Sequence, residues 1–331
     1  MKRDMTGRRI VIRPDGRAET ETFSVPSPGA GQVLIRAEYT AVSAGTELGS
    51  QEQERHGDYY PGYSNVGVVV ECGRGVDDIS PGTRVLSGGG HASHVVSSVG
   101  PPYMARVPDG ASSRDAAFGV IGMVAMHGAR KAAVQLGEHV LVTGAGMVGQ
   151  LVAQLIPGDA AETLTVADLS GDRLARAASL GATHTVCPRD DNLADLHRSA
   201  VGAPVDIAVE ATGYPQLLPP IIDLLRVGGR CVLLGSIWHR EVTLDLMPLH
   251  EKEITLQGYH QPKCPDEAHA YYPYSKTYNS RSFLERVADG RVQVAPLVTH
   301  VLSPDDAGEA YRLLRDERDS ALGVLFDFTA D

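Results

Sequence analysis

The residues with the clearest chemistry are Gly144-Ala145-Gly146-Met147-Val148-Gly149, a GxGxxG run directly after the apolar stretch Val140-Leu141-Val142. The spacing alone is weak. A strand before it, helical sequence after it and an acid ending the next strand turn it into a dinucleotide fingerprint. Gly144 permits the tight turn, Gly146 lets a pyrophosphate approach the backbone, and Gly149 lets helix and strand pack closely. Met147 and Val148 open the helix, whose first N–H groups and partial positive charge would face the phosphates. Asp168 stands 19 residues after the last glycine. A carboxylate there accepts both ribose hydroxyls of NAD and repels the extra phosphate of NADP. Arg173, close by in sequence, keeps NADP as the lesser alternative. Two further loops follow strands. Ala211 and Thr212 in Glu210-Ala211-Thr212-Gly213 are candidates for the adenosine end, and Gly235 and Ser236 for the nicotinamide end, because ligands bind outside the carboxyl ends of parallel strands. Ordinary strand-to-helix turns are the alternative at both.

Other reactive side chains carry less. Cys72, Cys187, Cys231 and Cys264 include no pair closer than 33 residues, so neither a CxxC zinc ribbon nor a disulfide framework is encoded. Free thiols in a reducing compartment are the simplest reading. Tyr272 and Lys276 have the YxxxK spacing of a catalytic dyad, which works only when a helix brings the two side by side. Pro273 disfavours that helix at Tyr272. The tyrosines at 271, 272, 274 and 278 read better as a cleft or interface lining that suits neutral sugars and cyclitols. His239 and His260, just past strand ends, could titrate near pH 7, with solvated loop histidines as the alternative.

The elements that must position these groups follow from length and pattern. The chain's 331 residues leave room for roughly two domains. A composition of 43% hydrophobic and 21% charged residues is ordinary for a globular protein. Thirty basic against 41 acidic residues give −11, which argues against nucleic-acid and anionic-membrane partners. The polar Met1-Lys2-Arg3-Asp4 leads to no apolar signal core, and no stretch reaches 18 apolar residues, so a cytoplasmic protein is expected. In the first hundred residues, β-branched runs at 9–12, 33–36 and 66–70 alternate with Pro/Gly punctuation, which predicts a small barrel or folded sheet. Ser112-Ser113-Arg114-Asp115 offers a helix N-cap before the apolar run 116–133. Strands at 140–142, 164–167, 205–209 and 231–234 then alternate with helices at 172–179 and 220–226, predicting a parallel sheet with helices on both faces. Beyond Gly258 come helices around 282–287 and 307–314 and a last strand at 324–328, as if the chain returned to its first domain.

This order of parts resembles the medium-chain dehydrogenase/reductase superfamily, the zinc alcohol, sorbitol and threonine dehydrogenase group. The local motifs that carry the resemblance are Pro61-Gly62-Tyr63-Ser64-Asn65-Val66-Gly67-Val68-Val69, Gly82-Thr83-Arg84-Val85 and the GAGMVG turn. Around Ser43-Ala44-Gly45-Thr46-Glu47 and Pro61-Gly62-Tyr63 the chain is most similar to the branch containing bacteriochlorophyllide dehydrogenase. The resemblance implies an α/β fold: a GroES-like β-rich catalytic domain of residues 1–115 plus 262–331, with an inserted Rossmann doubly wound parallel-sheet domain of residues 116–261. It also implies a homodimer joined through an edge strand near Val242-Thr243-Leu244.

The resemblance locates a catalytic zinc site and shows its ligands missing. The first cysteine position falls on Ala44 or Ser43, the histidine on Tyr63, the acid beside it on Ser64, and the last cysteine near Ile121. No cysteine lies between Cys72 and Cys187, so the four-cysteine structural lobe is missing as well. None of these side chains is a good zinc ligand, and no metal is expected. His91 and His94 are an alternative metal pair, less favoured than a turn between surface and cleft. Thr46 occupies the family's hydroxyl proton-relay position. Tyr63 would point into the emptied metal site, there donating to a carbonyl or, with its pKa lowered from about 10, accepting an alcohol proton. Glu47 would orient the loop or pair with a cation. Each has a structural alternative: Thr46 bonding backbone or nicotinamide ribose, Tyr63 packing, Glu47 bracing. The expected function is a zinc-independent, NAD-linked oxidoreductase. It would interconvert a secondary alcohol and a ketone on a small polar molecule such as a sugar or cyclitol derivative, in biosynthesis. The alternatives are an enoyl- or quinone-type C=C reductase and a non-catalytic nucleotide-binding protein.

Overall fold

The computed structural model describes residues 5–51, 57–102, 104–189, 191–235 and 241–330. The chain divides into two units, Met1–Met123 with Cys264–Asp331, and Val124–Lys263.

The first unit is mostly β-structure. Strands β1 (Thr6–Ile12) and β2 (Ala18–Ser24) pair as an antiparallel ribbon. Strands β3 (Gln32–Ala41), β4 (Asn65–Cys72), β5 (Arg84–Ser87), β6 (His94–Ser98) and β7 (Ala105–Arg106) follow, with helix α1 (Ala44–Gln51) leaving the end of β3. Strand β3 pairs antiparallel with both β4 and β6. A Cβ on Gly67 would stand 2.1 Å from the Arg36 carbonyl oxygen, so the close crossing of β3 and β4 requires glycine there. The β-branched runs seen in the sequence lie inside β1, β3 and β4, where consecutive apolar side chains such as Ile10 to Ile12 and Val33 to Ile35 are buried. Ser112 caps α2 (Ser113–Ala116), its hydroxyl accepting the Asp115 N–H, and α3 (Gly119–Ala132) follows. The single helix expected over 116–133 is thus two.

The second unit alternates strand and helix: β8 (Glu138–Thr143), α4 (Met147–Leu155), β9 (Ala161–Ala167), α5 (Gly171–Ser179), β10 (His184–Val186), α6 (Leu193–Val201), β11 (Val205–Glu210), α7 (Leu218–Leu224), β12 (Leu225–Leu233), α8 (Met247–Glu251) and β13 (Thr255–Gly258). All strand pairs are parallel, in the order β10-β9-β8-β11-β12-β13. The order reverses between β8 and β11, the switch point outside which such sheets take their ligands. The helix expected at 220–226 ends at Leu224, and β12 starts at once. Val242-Thr243-Leu244 is not a strand: Val242 and Leu244 pack against the apolar cluster of Leu218, Ile221 and Leu225, and β13 forms the edge instead.

The chain then re-enters the first unit through α9 (Lys276–Ala288), β14 (Val298–Leu302), α10 (Ala307–Asp316) and β15 (Gly323–Asp327). Strand β15 joins the first sheet against β3. Ile10, Ile12, Tyr311, Val324, Phe326 and Phe328 form its core beneath the start of α1. Among the described residues no helix is long and apolar enough to cross a membrane.

Candidate active site

At the carboxyl end of β8 the three glycines take distinct roles. Gly144 has φ +92°, which a side chain rarely adopts, and a Cβ there would also stand 2.8 Å from Thr212 Cγ2. A Cβ on Gly149 would stand 1.8 Å from the Gly144 carbonyl oxygen, so helix and turn touch. At Gly146, which caps α4, a Cβ would meet nothing within 4 Å. That open face lies at the first N–H groups of α4, contributed by Met147 and Val148, the place a pyrophosphate needs. Asp168 follows β9. Its Oδ2 accepts the Ala145 N–H at 2.7 Å and its Oδ1 the Ser170 N–H at 2.9 Å, so the carboxylate is fixed against the glycine turn. Arg173 lies in α5, and its carbonyl accepts from Gln150 at 2.8 Å. Ala211 and Thr212 follow β11, and Gly235 follows β12; Ser236 and His239 lie outside the described residues. The open cradle at Gly146, the helix terminus behind it and the fixed acid fit a dinucleotide.

A cluster of hydroxyl groups forms at the end of β3 and the start of α1. The Tyr63 phenol donates to Ser43 Oγ and lies 3.3 Å from Thr46 Oγ1. Tyr63 is half-buried and Thr46 is exposed. Burial pushes the phenol above its usual value, against the pull of the bonds to Ser43 and Thr46, and the nearby Glu47 charge adds to the rise. Of the two roles open to Tyr63, donor to a carbonyl or acceptor with a lowered pKa, this direction favours the donor. Ser64 is buried, its hydroxyl donating to the Ala117 carbonyl at 2.5 Å, and Ile121 is buried in α3. The positions where zinc ligands would stand thus hold hydroxyl and apolar groups. Zn²⁺ takes thiolate, imidazole or carboxylate, so this set does not fit it.

Behind the hydroxyls lies a buried polar chain. The side chains of Glu47 and His91 are both 0% exposed. Glu47 Oε1 accepts the Ser43 N–H at 2.8 Å, and Oε2 accepts the Tyr311 hydroxyl at 2.6 Å. His91 Nε2 lies 3.1 Å from Oε2, and Nδ1 lies 2.7 Å from Thr40 Oγ1. A carboxylate can only accept, so His91 Nε2 is the donor to Glu47, while Nδ1 and the Thr40 hydroxyl share the second bond. Glu47 is thus a positioning residue: it holds the backbone of Ser43, and its burial keeps it from substrate. His91 packs edge-on against Phe326, with ring centroids 5.0 Å apart. His91 and His94 are both buried, His91 in the loop that leads into β6 and His94 at the start of that strand. Each bonds its own neighbours, His94 Nδ1 meeting Ser93 Oγ at 3.1 Å. Sequence reasoning missed Tyr311 and the hydrogen-bonding roles of Ser43 and His91; Tyr311 reaches Glu47 across 264 residues, and no local pattern signals such a contact.

The remaining candidates fall elsewhere. Lys276 opens α9 and pairs with Asp266 at 2.6 Å, while Tyr272 precedes the helix, so no helix sets the two side by side. Tyr272, Tyr274 and Tyr278 stack edge-to-face in series, at 5.5 and 5.6 Å between centroids. His260 is exposed.

Residues 147–275 match the family model described as "Zinc-binding dehydrogenase", a span that includes none of positions 43, 44, 63, 64 and 121. The chain is 25% identical over 340 residues to sorbitol dehydrogenase of Gallus gallus, covering 91% of each. It is 29% identical over 335 residues to L-threonine 3-dehydrogenase of Xanthomonas euvesicatoria, covering 89% of this chain and 92% of that one. In fold it is similar to a zinc-binding dehydrogenase of Sinorhizobium meliloti solved with NADP, with TM-score 0.82, 19% identity, and 98% and 99% of the two chains covered. Together these matches support the medium-chain dehydrogenase/reductase superfamily.

Proposed function

We propose that the protein is a zinc-independent, NAD-linked oxidoreductase that interconverts a secondary alcohol and a ketone on a small polar substrate, acting in the cytoplasm as a homodimer. The observation that carries this reading is the hydroxyl cluster of Tyr63, Ser43 and Thr46 where a metal's ligands would otherwise stand. The sorbitol and threonine relatives oxidise hydroxyl-bearing polar molecules, as their names state, which supports the substrate class. Residues 124–263 would hold the cofactor, with Gly144, Gly146, Met147, Val148 and Gly149 at the pyrophosphate, Asp168 at the adenosine ribose, and Ala211, Thr212 and Gly235 along its length. Arg173 and Ser236 complete the candidate set.

When bound, the nicotinamide ring supplies or takes up a hydride, two electrons with one hydrogen nucleus. The chain's own part concerns the oxygen. In reduction the carbonyl π bond breaks as carbon gains the hydride, and the oxygen takes a proton from Tyr63 Oη. Ser43 then donates to the phenolate and steadies its charge. Thr46, exposed and able both to give and to accept, passes a proton from water back to Tyr63. Oxidation runs the same steps in reverse.

The test is turnover of a polyol, cyclitol, ketone and enone panel with NAD(H) and NADP(H), beside metal analysis of the purified protein. Ketone reduction with NADH that survives chelators supports the reading. One tightly held zinc per chain with activity lost to chelators overturns the metal-free mechanism. Preference for NADPH on enones instead assigns a C=C reductase, which Asp168 opposes. NAD binding without turnover over the whole panel leaves a nucleotide-binding protein.

A further inference from the structure

Strand β11 ends in Glu210, whose side chain is fully buried. Oε1 accepts the N–H of Thr212 at 2.7 Å and also its hydroxyl, and Oε2 accepts the N–H of Gly213 at 3.0 Å. The Glu210 carbonyl accepts the N–H groups of Leu234 and Gly235, each at 2.8 Å. A Cβ on Gly235 would stand 2.2 Å from Gly213 N and 2.8 Å from Glu210 Oε2. The carboxylate therefore lies where the loops after β11 and β12 close on one another, beside the switch point of the sheet. These partners, Thr212 and Gly213, are neutral. Among the described residues no lysine, arginine or histidine pairs with it. The titratable group facing it from β12, Cys231, is pushed up to about 12 by burial and by Glu210 itself, and so stays a thiol.

Closing a turn needs no charge, and a buried carboxylate without a cation is costly, which is why buried charges are ordinarily paired. The oxidised nicotinamide ring carries one positive charge; the reduced ring carries none. Asp168 ends β9 on one side of β8 and marks the adenosine ribose, while Glu210 ends β11 on the other side. A dinucleotide lying across the switch point runs from the first toward the second.

We propose that Glu210 is a specificity-determining residue of the dinucleotide crevice, its buried charge complementing the cationic oxidised nicotinamide and favouring NAD⁺ over NADH. The inference rests on the reading of residues 124–263 as the cofactor unit. Calorimetric titration with NAD⁺ and fluorescence titration with NADH test it on wild type, Glu210→Gln and Glu210→Asp. The Gln variant is expected to raise the ratio Kd(NAD⁺)/Kd(NADH) by about tenfold, the scale of one charge–charge attraction in a partly shielded site. The Asp variant keeps the charge, so the ratio should stay within about twofold even if both affinities drop. Equal losses for both cofactor forms in the Gln variant, or no loss, would overturn the proposal by leaving Glu210 a purely structural turn. So would an Asp variant whose ratio moves tenfold, an outcome that decides the matter even if the Gln variant fails to fold. Wild type that binds neither form overturns the cofactor reading itself, a result distinct from any of these.

Discussion

Removing one oxygen from Tyr63 isolates its part in the chemistry. Tyr63→Phe should lower the turnover number by about 10²-fold or more, the usual effect of losing one preorganised donor, while the affinity for NADH stays within about twofold. Burial holds the phenol above its usual value, so its donor form persists through neutral pH. Ketone reduction should therefore fall only at strongly alkaline pH, and a fall centred near neutrality would assign the proton to another group. Glu47→Gln and Tyr311→Phe act behind the reacting groups. Each leaves a buried partner short of a bond and should destabilise the fold by about 1–3 kcal/mol in urea melts. At this scale the sequence is readable where a residue's role is local. Gly144, Gly146 and Gly149 serve one turn, and their spacing, with the strand before it and the acid after the next strand, marks them in the sequence. Glu47 is legible as a residue of interest but not in its role, because its partners His91 and Tyr311 come from a distant loop and α10.

Elements carry a different kind of titration. His197 in α6 is fully buried, and both of its ring nitrogens lack a hydrogen-bond partner. Burial, with help from His139, His184 and Arg198, lowers its pKa from 6.5 to about 4. A depressed histidine folds neutral and must charge when unfolded. Its contribution is thus present above pH 6.5 and is lost as pH falls toward 4. Between pH 7.5 and 5 the loss is about 2 kcal/mol from this residue. Urea melts at the two pH values should show wild type losing more stability than His197→Leu; equal losses would remove His197 as a source of acid sensitivity. The elements themselves were legible where periodicity was clean, as in β1, β8 and β11. They were not where glycine interrupts a strand: Gly228-Gly229 in β12 reads as a turn, and Gly228 does adopt φ +72°, yet the strand pairs on either side of it. Val242-Thr243-Leu244 looks like a strand because it is apolar and β-branched, but burial against α7 explains those residues as well as pairing would.

At the scale of the whole molecule, the proposed reaction makes two charge arrangements bear on one equilibrium. Tyr63, held protonated, is ready to give a proton and not to take one, which suits a carbonyl as the bound partner. Glu210, buried and with no paired cation among the described residues, is the group proposed to favour the oxidised ring, the cofactor form that carbonyl reduction produces. Both bias the bound species toward alcohol and NAD⁺. With the best ketone–alcohol pair of the substrate panel, kcat for reduction at pH 7 should exceed kcat for oxidation by about tenfold, on the scale of one such charge effect. Only the oxidation rate should climb as pH rises toward the phenol's range, since oxidation needs Tyr63 as the acceptor. The comparison must use saturating turnover numbers rather than yields, because reduction consumes a proton and the overall equilibrium moves toward oxidation at high pH whatever the protein does. Glu210→Gln should narrow the gap at pH 7 without moving the pH at which oxidation climbs, whereas Glu47→Gln should move that pH downward, because the Glu47 charge raises the phenol. Oxidation faster than reduction at pH 7 in the wild type would take Tyr63 out of the reacting position and leave the two charges unrelated.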